Sequence, residues 1–408
     1  MKRGGWTAPV LALAGLMVLG GNMWGDVGWG KDLAAGLTLI GLAIVLGWVA
    51  LAASVGEATA GRGGSVGFRL QWALAGLMLV HVGIALHEVH EYPAAIDSLT
   101  FQRDATYDLA HGVNPYGTTR NDIYDREGTS KFYGKGMVVD GRVQVGLQYP
   151  PASFLVLMPG YLLGDIRYGY VLAMLLSALL VFAVMPDIRG LCLAAFVLLD
   201  PVTFVVEDRA WTEPLVWMLL CATLFTAVKR PRWLPVALGL FLASKQYNFI
   251  ALPFLGYLLR PFAWKAYWRL LGLSLAVAAI TVLPFALWNF GALWHDLVLF
   301  HLRQPFRQDA VSFAVPFPVY LKIGPLLLLA FVAWSVRRAV HQPALFPAMY
   351  AMAMLLFVSA SKQAFCNYYF LIAQAFLLTS TVLWSTPRTL NTSDEQPAGT
   401  AQEIVHAV

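Results

Sequence analysis

Charge is what this sequence has least of. Asp, Glu, Lys and Arg together make up 12% of its 408 residues, about half the share usual in a soluble domain. An ordinary water-soluble globule is thereby excluded, because its surface would hold too few ionic groups. Cysteine is nearly absent too. The three present, Cys192, Cys221 and Cys366, sit in or beside apolar runs, so no disulfide framework is indicated and none reads as a metal ligand. There is no Walker-type glycine loop, no dinucleotide fingerprint and no Ser-His-Asp signature. The formal charge of +5 and isoelectric point near 9.0 do not point to nucleic acid, since the cations stand in short clusters between hydrophobic runs, the positive-inside arrangement.

What is present is apolar: 59% hydrophobic and 13% aromatic residues, with a mean hydropathy of +0.64. That describes a multi-span membrane protein whose Trp and Tyr gather at the headgroup level. Runs of roughly 20 apolar residues can cross the hydrocarbon core as helices. They place spans near 6–24, 33–54, 69–87, 168–185, 190–206, 213–228, 233–259, 269–288, 317–336, 343–361 and 366–385. The expected fold class is an all-α polytopic bundle of about twelve transmembrane helices. It divides into a two-helix N-terminal extension (1–68), a transmembrane domain (69–386) and a disordered cytoplasmic tail (387–408). Met1-Lys2-Arg3 and the apolar run behind it imitate a secretory signal, but Asn22-Met23-Trp24 is no small-residue cleavage site, so a retained span is expected.

Lys2/Arg3, Arg62/Arg69, Lys229/Arg230/Arg232, Arg260/Lys265/Arg269 and Arg337/Arg338 mark cytoplasmic ends, which leaves both termini cytoplasmic. Two of these groups flank 233–259. That run should therefore enter and leave on one side as two short half-helices, turning at Ser244–Asn248. Polar backbone at such depth is tolerated only where it lines a protein cavity. The loop 88–150 emerges on the opposite, extracytoplasmic face, with acids outnumbering bases. Within it Gly134–Val145 reads as a hairpin turning at Asp140-Gly141. Pro151–Gly164, apolar but too short to span, is laid against the outer interface.

Charged groups at membrane depth default to functional hypotheses. Lys245 and Lys362 stand in similar settings, Ala243-Ser244-Lys245-Gln246-Tyr247-Asn248 and Ala360-Ser361-Lys362-Gln363 with Asn367-Tyr368-Tyr369 following. Each is able to hold a phosphate as a point charge or to snorkel to the interface. Arg303-Gln304-Pro305-Phe306-Arg307, in a loop expected from Asn289 to Pro316, offers two guanidinium groups to an anionic headgroup or belongs to a solvated surface. Glu213-Pro214 suits either a helix start or a cavity wall. Asp97 lies close enough to the third span to meet a lipid-linked substrate, while Asp104 and Asp108 can share a helix face. His87 and Glu91 also share a face, and read as interfacial surface rather than a metal site.

Asp97, Gly112-Val113-Asn114-Pro115-Tyr116-Gly117 and Tyr149-Pro150-Pro151 occur in that order. Trp211-Thr212-Glu213-Pro214, the Lys245 segment and Lys362…Asn367-Tyr368-Tyr369 follow. The ordered set resembles the bacterial polyprenyl-phosphate-dependent glycosyltransferases of the GT-C fold, in particular the subgroup with mycobacterial alpha-mannosyltransferases. The resemblance spans roughly 75–385, with the first two spans as an upstream extension and Asp122–Val145 longer than the family pattern. It implies a GT-C-like bundle with a long extracytoplasmic first catalytic loop. It also implies inverting transfer of mannose or a similar sugar from a polyprenyl-phosphate donor to a lipid-linked or envelope glycan acceptor, on the outer face of the cytoplasmic membrane. Asp97 would be the base. Lys245, Lys362, Arg303 and Arg307 would hold the donor phosphate, and Tyr116, Tyr149, Glu213, Gln246, Asn248, Asn367 and Tyr368 would line the substrate. No cofactor or metal is expected, with a divalent cation left open. The rival is a transporter or flippase of a lipid-linked or anionic solute, with a midplane site at the broken helix. Its weakness is the large polar loop, which transport does not need. A polymerase or ligase of lipid-linked glycans would share the chemistry.

Overall fold

The computed structural model describes residues 63–91, 94–338 and 341–385. The expected spans at 6–24 and 33–54 and the tail from 387 lie outside the described residues. Five described helices are long and apolar enough to cross a membrane: Arg69–Glu91, Arg167–Val184, Trp264–Arg303, Tyr320–Arg337 and Cys366–Leu383. A sixth crossing results if Ile188–Leu199 and Pro201–Asp208, bent by 48°, count as one. The bend has a local cause. Pro201 forces the preceding residue out of the helical region, and Asp200, extended at φ −63° and ψ 125°, accepts a hydrogen bond from the Val202 N–H and restarts the helix. The remaining expected spans are shorter than a full crossing: Glu213–Lys229 has 17 residues and Phe346–Ser359 has 14.

One group of helices forms the core. Around Tyr170, Trp217, Phe241, Tyr350 and Phe370, all buried, pack the helices Arg167–Val184, Ile188–Leu199, Glu213–Lys229, Leu234–Ser244, Phe346–Ser359 and Cys366–Ser385. The helices through Trp264–Trp294 and Tyr320–Arg337 instead keep most of their apolar surface outward, with Trp268, Ile280, Leu287, Leu326 and Trp334 exposed. In a bilayer such a surface faces lipid. Leu234–Ser244 still approaches the long helix closely, because a Cβ on Gly239 would stand 2.5 Å from the Ser274 carbonyl oxygen.

The run 233–259 breaks where the polar residues stand. Leu234–Ser244 is α-helical, Lys245 is extended, and Gln246–Leu258 continues as a 3₁₀ segment containing Pro253. Asn248 supplies partners that the interrupted helix lacks. Its Nδ2 donates to the Phe241 carbonyl (2.7 Å) and the Ser244 hydroxyl (3.0 Å), and its Oδ1 accepts from the Tyr350 hydroxyl (2.7 Å).

The expected loop from Asn289 begins instead as helix. The chain kinks at Asn289 (φ −159°, ψ 92°) and runs on through a π segment, His295–Leu299, to Arg303. Asn289 Oδ1 accepts from the Ala292 N–H at 3.0 Å and so caps the resumed helix. Its polar residues read as a loop because they face the polar domain built from the loop after the first described helix.

That polar domain contains a helix, Asp97–Ala110, a short helix, Arg126–Phe132, and a three-stranded antiparallel sheet of Arg120–Asn121, Val138–Val139 and Arg142–Val143. Arg142–Val143 is central, with Val143 opposite both Arg120 and Val138. The hairpin turns at Asp140-Gly141, whose φ values of +49° and +71° suit a tight two-residue turn. Phe101, Tyr133, Met137, Val143 and Val145 close a small core on Phe300 of the long helix. Pro151–Leu155 and Met158–Leu162 are short apolar helices that return the chain to the bundle.

Candidate active site

Asp97 opens the helix Asp97–Ala110. That helix is pinned to the turn just before Glu213: Ser98 Oγ donates to the Arg209 carbonyl (2.7 Å), and Gln102 Nε2 to that of Ala210 (2.6 Å). The Tyr170 hydroxyl donates to Gln102 Oε1 from the core. Asp97 Oδ2 accepts from the Tyr133 hydroxyl at 3.0 Å, and its N–H reaches the Tyr124 hydroxyl at 3.3 Å. Burial pushes the carboxyl above the usual carboxylate range, against the opposing pull of Tyr133, the Ser98 N–H and the Arg307 charge. Burial and the neighbouring Asp97 push both tyrosine hydroxyls upward, so both remain neutral. A carboxylate whose proton affinity is raised while the Tyr133 hydroxyl orients it and Tyr124 holds its backbone is suited to general-base work.

The second centre lies at the broken helix. Lys245 Nζ pairs with Glu213 Oε1 at 2.5 Å, and the Tyr247 hydroxyl donates to the same oxygen at 2.9 Å. Both partners of the ion pair are buried. The rings of Tyr149, Tyr247 and Tyr368 surround the ammonium at 5.4, 5.1 and 5.1 Å, an aromatic cage for a cation. Glu213 stands in the first turn of its helix beside Pro214, so it is at once a helix start and a cavity wall. Tyr149 is within electrostatic reach of Asp97, Glu213 and Tyr368 together.

The other expected residues separate. Tyr116 is buried, packs edge-on against Phe285 and donates its hydroxyl to the Tyr149 carbonyl at 2.7 Å. It therefore orients the backbone of Tyr149. Gln246 Nε2 donates to the Gln148 carbonyl at 2.7 Å, which also accepts from His301 Nε2 at 2.9 Å. Asn248 is taken up by the helix break, and Asn367 is buried beside Tyr368 with its Oδ1 unpartnered. Lys362 donates to the carbonyls of Leu302 (3.0 Å) and Gln304 (2.6 Å), capping the end of the long helix. Desolvation lowers the proton affinity of its ammonium. Lys245 and Lys362 both lie within electrostatic reach of His301.

Arg303 and Arg307 do not converge on one headgroup. Arg307 forms a two-pronged pair with Asp309 (2.7 and 2.6 Å), lies over the rings of Phe132 and Phe365, and holds the Asp309 carboxyl well below the usual range. Arg303 borders a separate hollow with Lys135 and His295. Gln304, extended at ψ 141°, ends the helix between them and turns them apart. Asp104 pairs with exposed Arg103 at 3.1 Å and Asp108 with Arg120 at 2.7 Å, so both serve the loop's own structure.

Asp296 carries more than its sequence context implied. It is buried, and its Oδ2 accepts from the N–H groups of Gly117 (3.2 Å), Gly146 (2.9 Å) and Leu147 (3.2 Å), while Oδ1 is bonded to His295 Nδ1 at 2.9 Å. One carboxylate thus ties two separate points of the polar loop to the long helix. Gly146 permits the approach, since a Cβ there would fall 2.0 Å from the Pro115 carbonyl oxygen. An acid between Trp294 and the apolar Leu297–Leu299 was a signal, because a charge there demands partners. Tyr133 had none, standing 36 residues from Asp97.

No protein-family model matches the chain, and no curated protein matches it. Among solved structures the chain is similar to ArnT from Cupriavidus metallidurans bound to undecaprenyl phosphate, at 19% identity and a TM-score of 0.47, over 76% of this chain and 60% of that one. It is similar also to the apo state of the same protein, at 18% identity and a TM-score of 0.48, over 76% of this chain and 59% of that one. The chain thus spans less than two thirds of the length of these structures.

Proposed function

We propose that this multi-pass membrane protein is a glycosyltransferase. It moves a sugar, mannose or similar by the motif resemblance, from a polyprenyl-phosphate donor to a lipid-linked or envelope glycan acceptor. The observation that carries the reading is that the helix opening with an oriented carboxylate, Asp97, is hydrogen-bonded through Ser98 and Gln102 to the turn just before Glu213, the partner of the caged buried cation Lys245. An acceptor hydroxyl needs the carboxylate, and a departing phosphate needs the cation.

The reaction is then a single displacement. Asp97 takes the proton of the acceptor hydroxyl as that oxygen bonds to the sugar's anomeric carbon. The bond from that carbon to the phosphate oxygen breaks, the configuration inverts, and the electron pair leaves with the lipid phosphate. Lys245 meets the growing negative charge. Glu213 keeps Lys245 an ammonium and in position. Lys362 acts at one remove, by holding the end of the long helix.

The site would face the outside of the cytoplasmic membrane, with both termini inside. A cysteine replacing Thr118 should label with an impermeant thiol reagent on intact cells, and one replacing Ser393 should not. The reverse pattern would invert the topology. The buried Lys245–Glu213 pair at a helix break also favours a second reading, a transporter of a lipid-linked anion. Purified protein in proteoliposomes with a polyprenyl-phosphate sugar separates the two. Release of polyprenyl phosphate dependent on a glycan acceptor is expected, whereas donor carried across intact, with every acceptor tried, would establish transport.

A further inference from the structure

Two neighbouring hollows open on the loop segment Asp122–Val145, the part longer than the family pattern, of which only Tyr124 and Tyr133 are used above. One, of about 270 Å³, is bordered by Lys135, His295, Arg303 and Gln144 over Met137 and Phe300. The other, of about 440 Å³, is bordered by Arg126, Thr129, Ser130 and Tyr133, and Lys135 borders both. Neither wall contains an Asp or Glu.

That charge pattern is selective. The loop is net acidic, and its other described cations have partners: Arg103 with Asp104, Arg120 with Asp108, Lys131, alongside Arg307, with Asp309, while Arg142 is held by Thr119 and Asn121. Among the described residues, Arg126, Lys135 and Arg303 form no ion pair. Carboxylates stand behind the walls: Asp97 accepts from Tyr133 and Asp122 from Thr129, while Asp296 has one oxygen bonded to His295 Nδ1 and the other to three backbone N–H groups. Three unmatched cations around acid-free hollows make an anion site. Its place assigns its side of the reaction. Tyr133 is a wall of the larger hollow and donates its hydroxyl to Asp97, so a molecule seated there reaches the proposed base, while the donor phosphate is met at Lys245.

We propose that the two hollows form a subsite for an oxyanion, a phosphate or a carboxylate, carried by the glycan acceptor and held by Lys135 and Arg303 with Arg126 at its edge. The assignment to the acceptor rests on the reading of Asp97 as base.

The test uses full-length protein in nanodiscs of uncharged phosphatidylcholine, a polyprenyl-phosphate sugar, and envelope glycans divided by anion exchange into neutral and anionic pools. Lys135 and Arg303 are exposed, so substitution should leave folding intact. Wild-type protein should glycosylate the anionic pool. Lys135→Gln and Arg303→Gln should each raise the KM for that pool about tenfold, the loss expected for one charge-assisted bond, with kcat and donor KM unchanged. Phosphatase treatment or chemical reduction of carboxyls shows which oxyanion is recognised. Transfer to the neutral pool with unchanged KM in both variants, or a raised donor KM, would overturn the assignment. Calorimetric titration of inorganic pyrophosphate tests the subsite without turnover. Wild type and Asp97→Asn should bind it and the double variant should not. Absence of binding by wild type removes the subsite. Binding without donor cleavage keeps the anion subsite and removes only the transferase reading.

Discussion

The two polar centres of this protein solve the problem of buried charge in different ways. At Lys245 and Glu213 a full cation meets a full anion, both inside the bundle and wrapped by tyrosine rings. At Asp97 a carboxylate meets the neutral hydroxyl of Tyr133 while Tyr124 accepts from its backbone N–H, with the Arg307 charge already shared with Asp309. The matched pair is stiff, because losing either partner strands a buried charge. The carboxylate, set by a hydroxyl, is adjustable and keeps a raised proton affinity. Under the proposed function the two would divide the work, the fixed cation serving the leaving phosphate and the tunable base the acceptor.

The largest effect should come from the tunable side. Asp97→Asn keeps size and polarity but removes the proton acceptor, so turnover should fall roughly 100- to 10,000-fold with donor binding nearly unchanged. Retention of more than about a tenth of the rate would place the base elsewhere.

Next is the pair. Glu213→Gln or Lys245→Gln should destabilise the protein by about 3–5 kcal/mol, as breaking a buried ion pair does, read from thermal unfolding in detergent. The double variant Glu213→Gln/Lys245→Met should recover most of that stability, since neutral replacement of both partners is often harmless. It should not recover turnover. A double variant that is stable and active would assign the pair to structure alone.

Smaller again is the effect of Tyr133→Phe. Its hydroxyl stabilises ionised Asp97, so its removal raises the proton affinity of that carboxyl further. The acid limb of the rate profile should move to higher pH, with little change on the plateau. The base acts only when deprotonated, so activity is lost as pH falls through its titration. A limb unmoved by Tyr133→Phe would show that another group controls it. Smallest of all, Asp104→Asn, which touches only exposed Arg103, should leave rate and stability within about twofold and 0.5 kcal/mol.

Some of the site was legible because the polar residue itself broke a pattern. Lys245, Gln246 and Asn248 interrupt an apolar run, and the helix ends there. Asp140-Gly141 between short alternating segments is a hairpin signal, and the hairpin forms. The helical course of 289–303 was hidden because its histidines, acid and arginine imitate a solvated loop, and only packing against the polar domain shows what satisfies them. Arg303 and Arg307, four residues apart, looked like one clamp, but the extended Gln304 between them sends each to a different place.

Composition and order alone determined that the chain lives in a membrane and which few charges needed an explanation. Hydropathy acts residue by residue, so it can be read from the string. The tertiary structure decided the partners: Lys245 with Glu213 across 32 positions, Asp97 with Tyr133 across 36, and Asp296 with Gly146 across 150. Burial forces a polar group to find a partner but does not say which one. That choice depends on distances of a few ångströms between residues far apart in the chain, and only the packed helices set those distances.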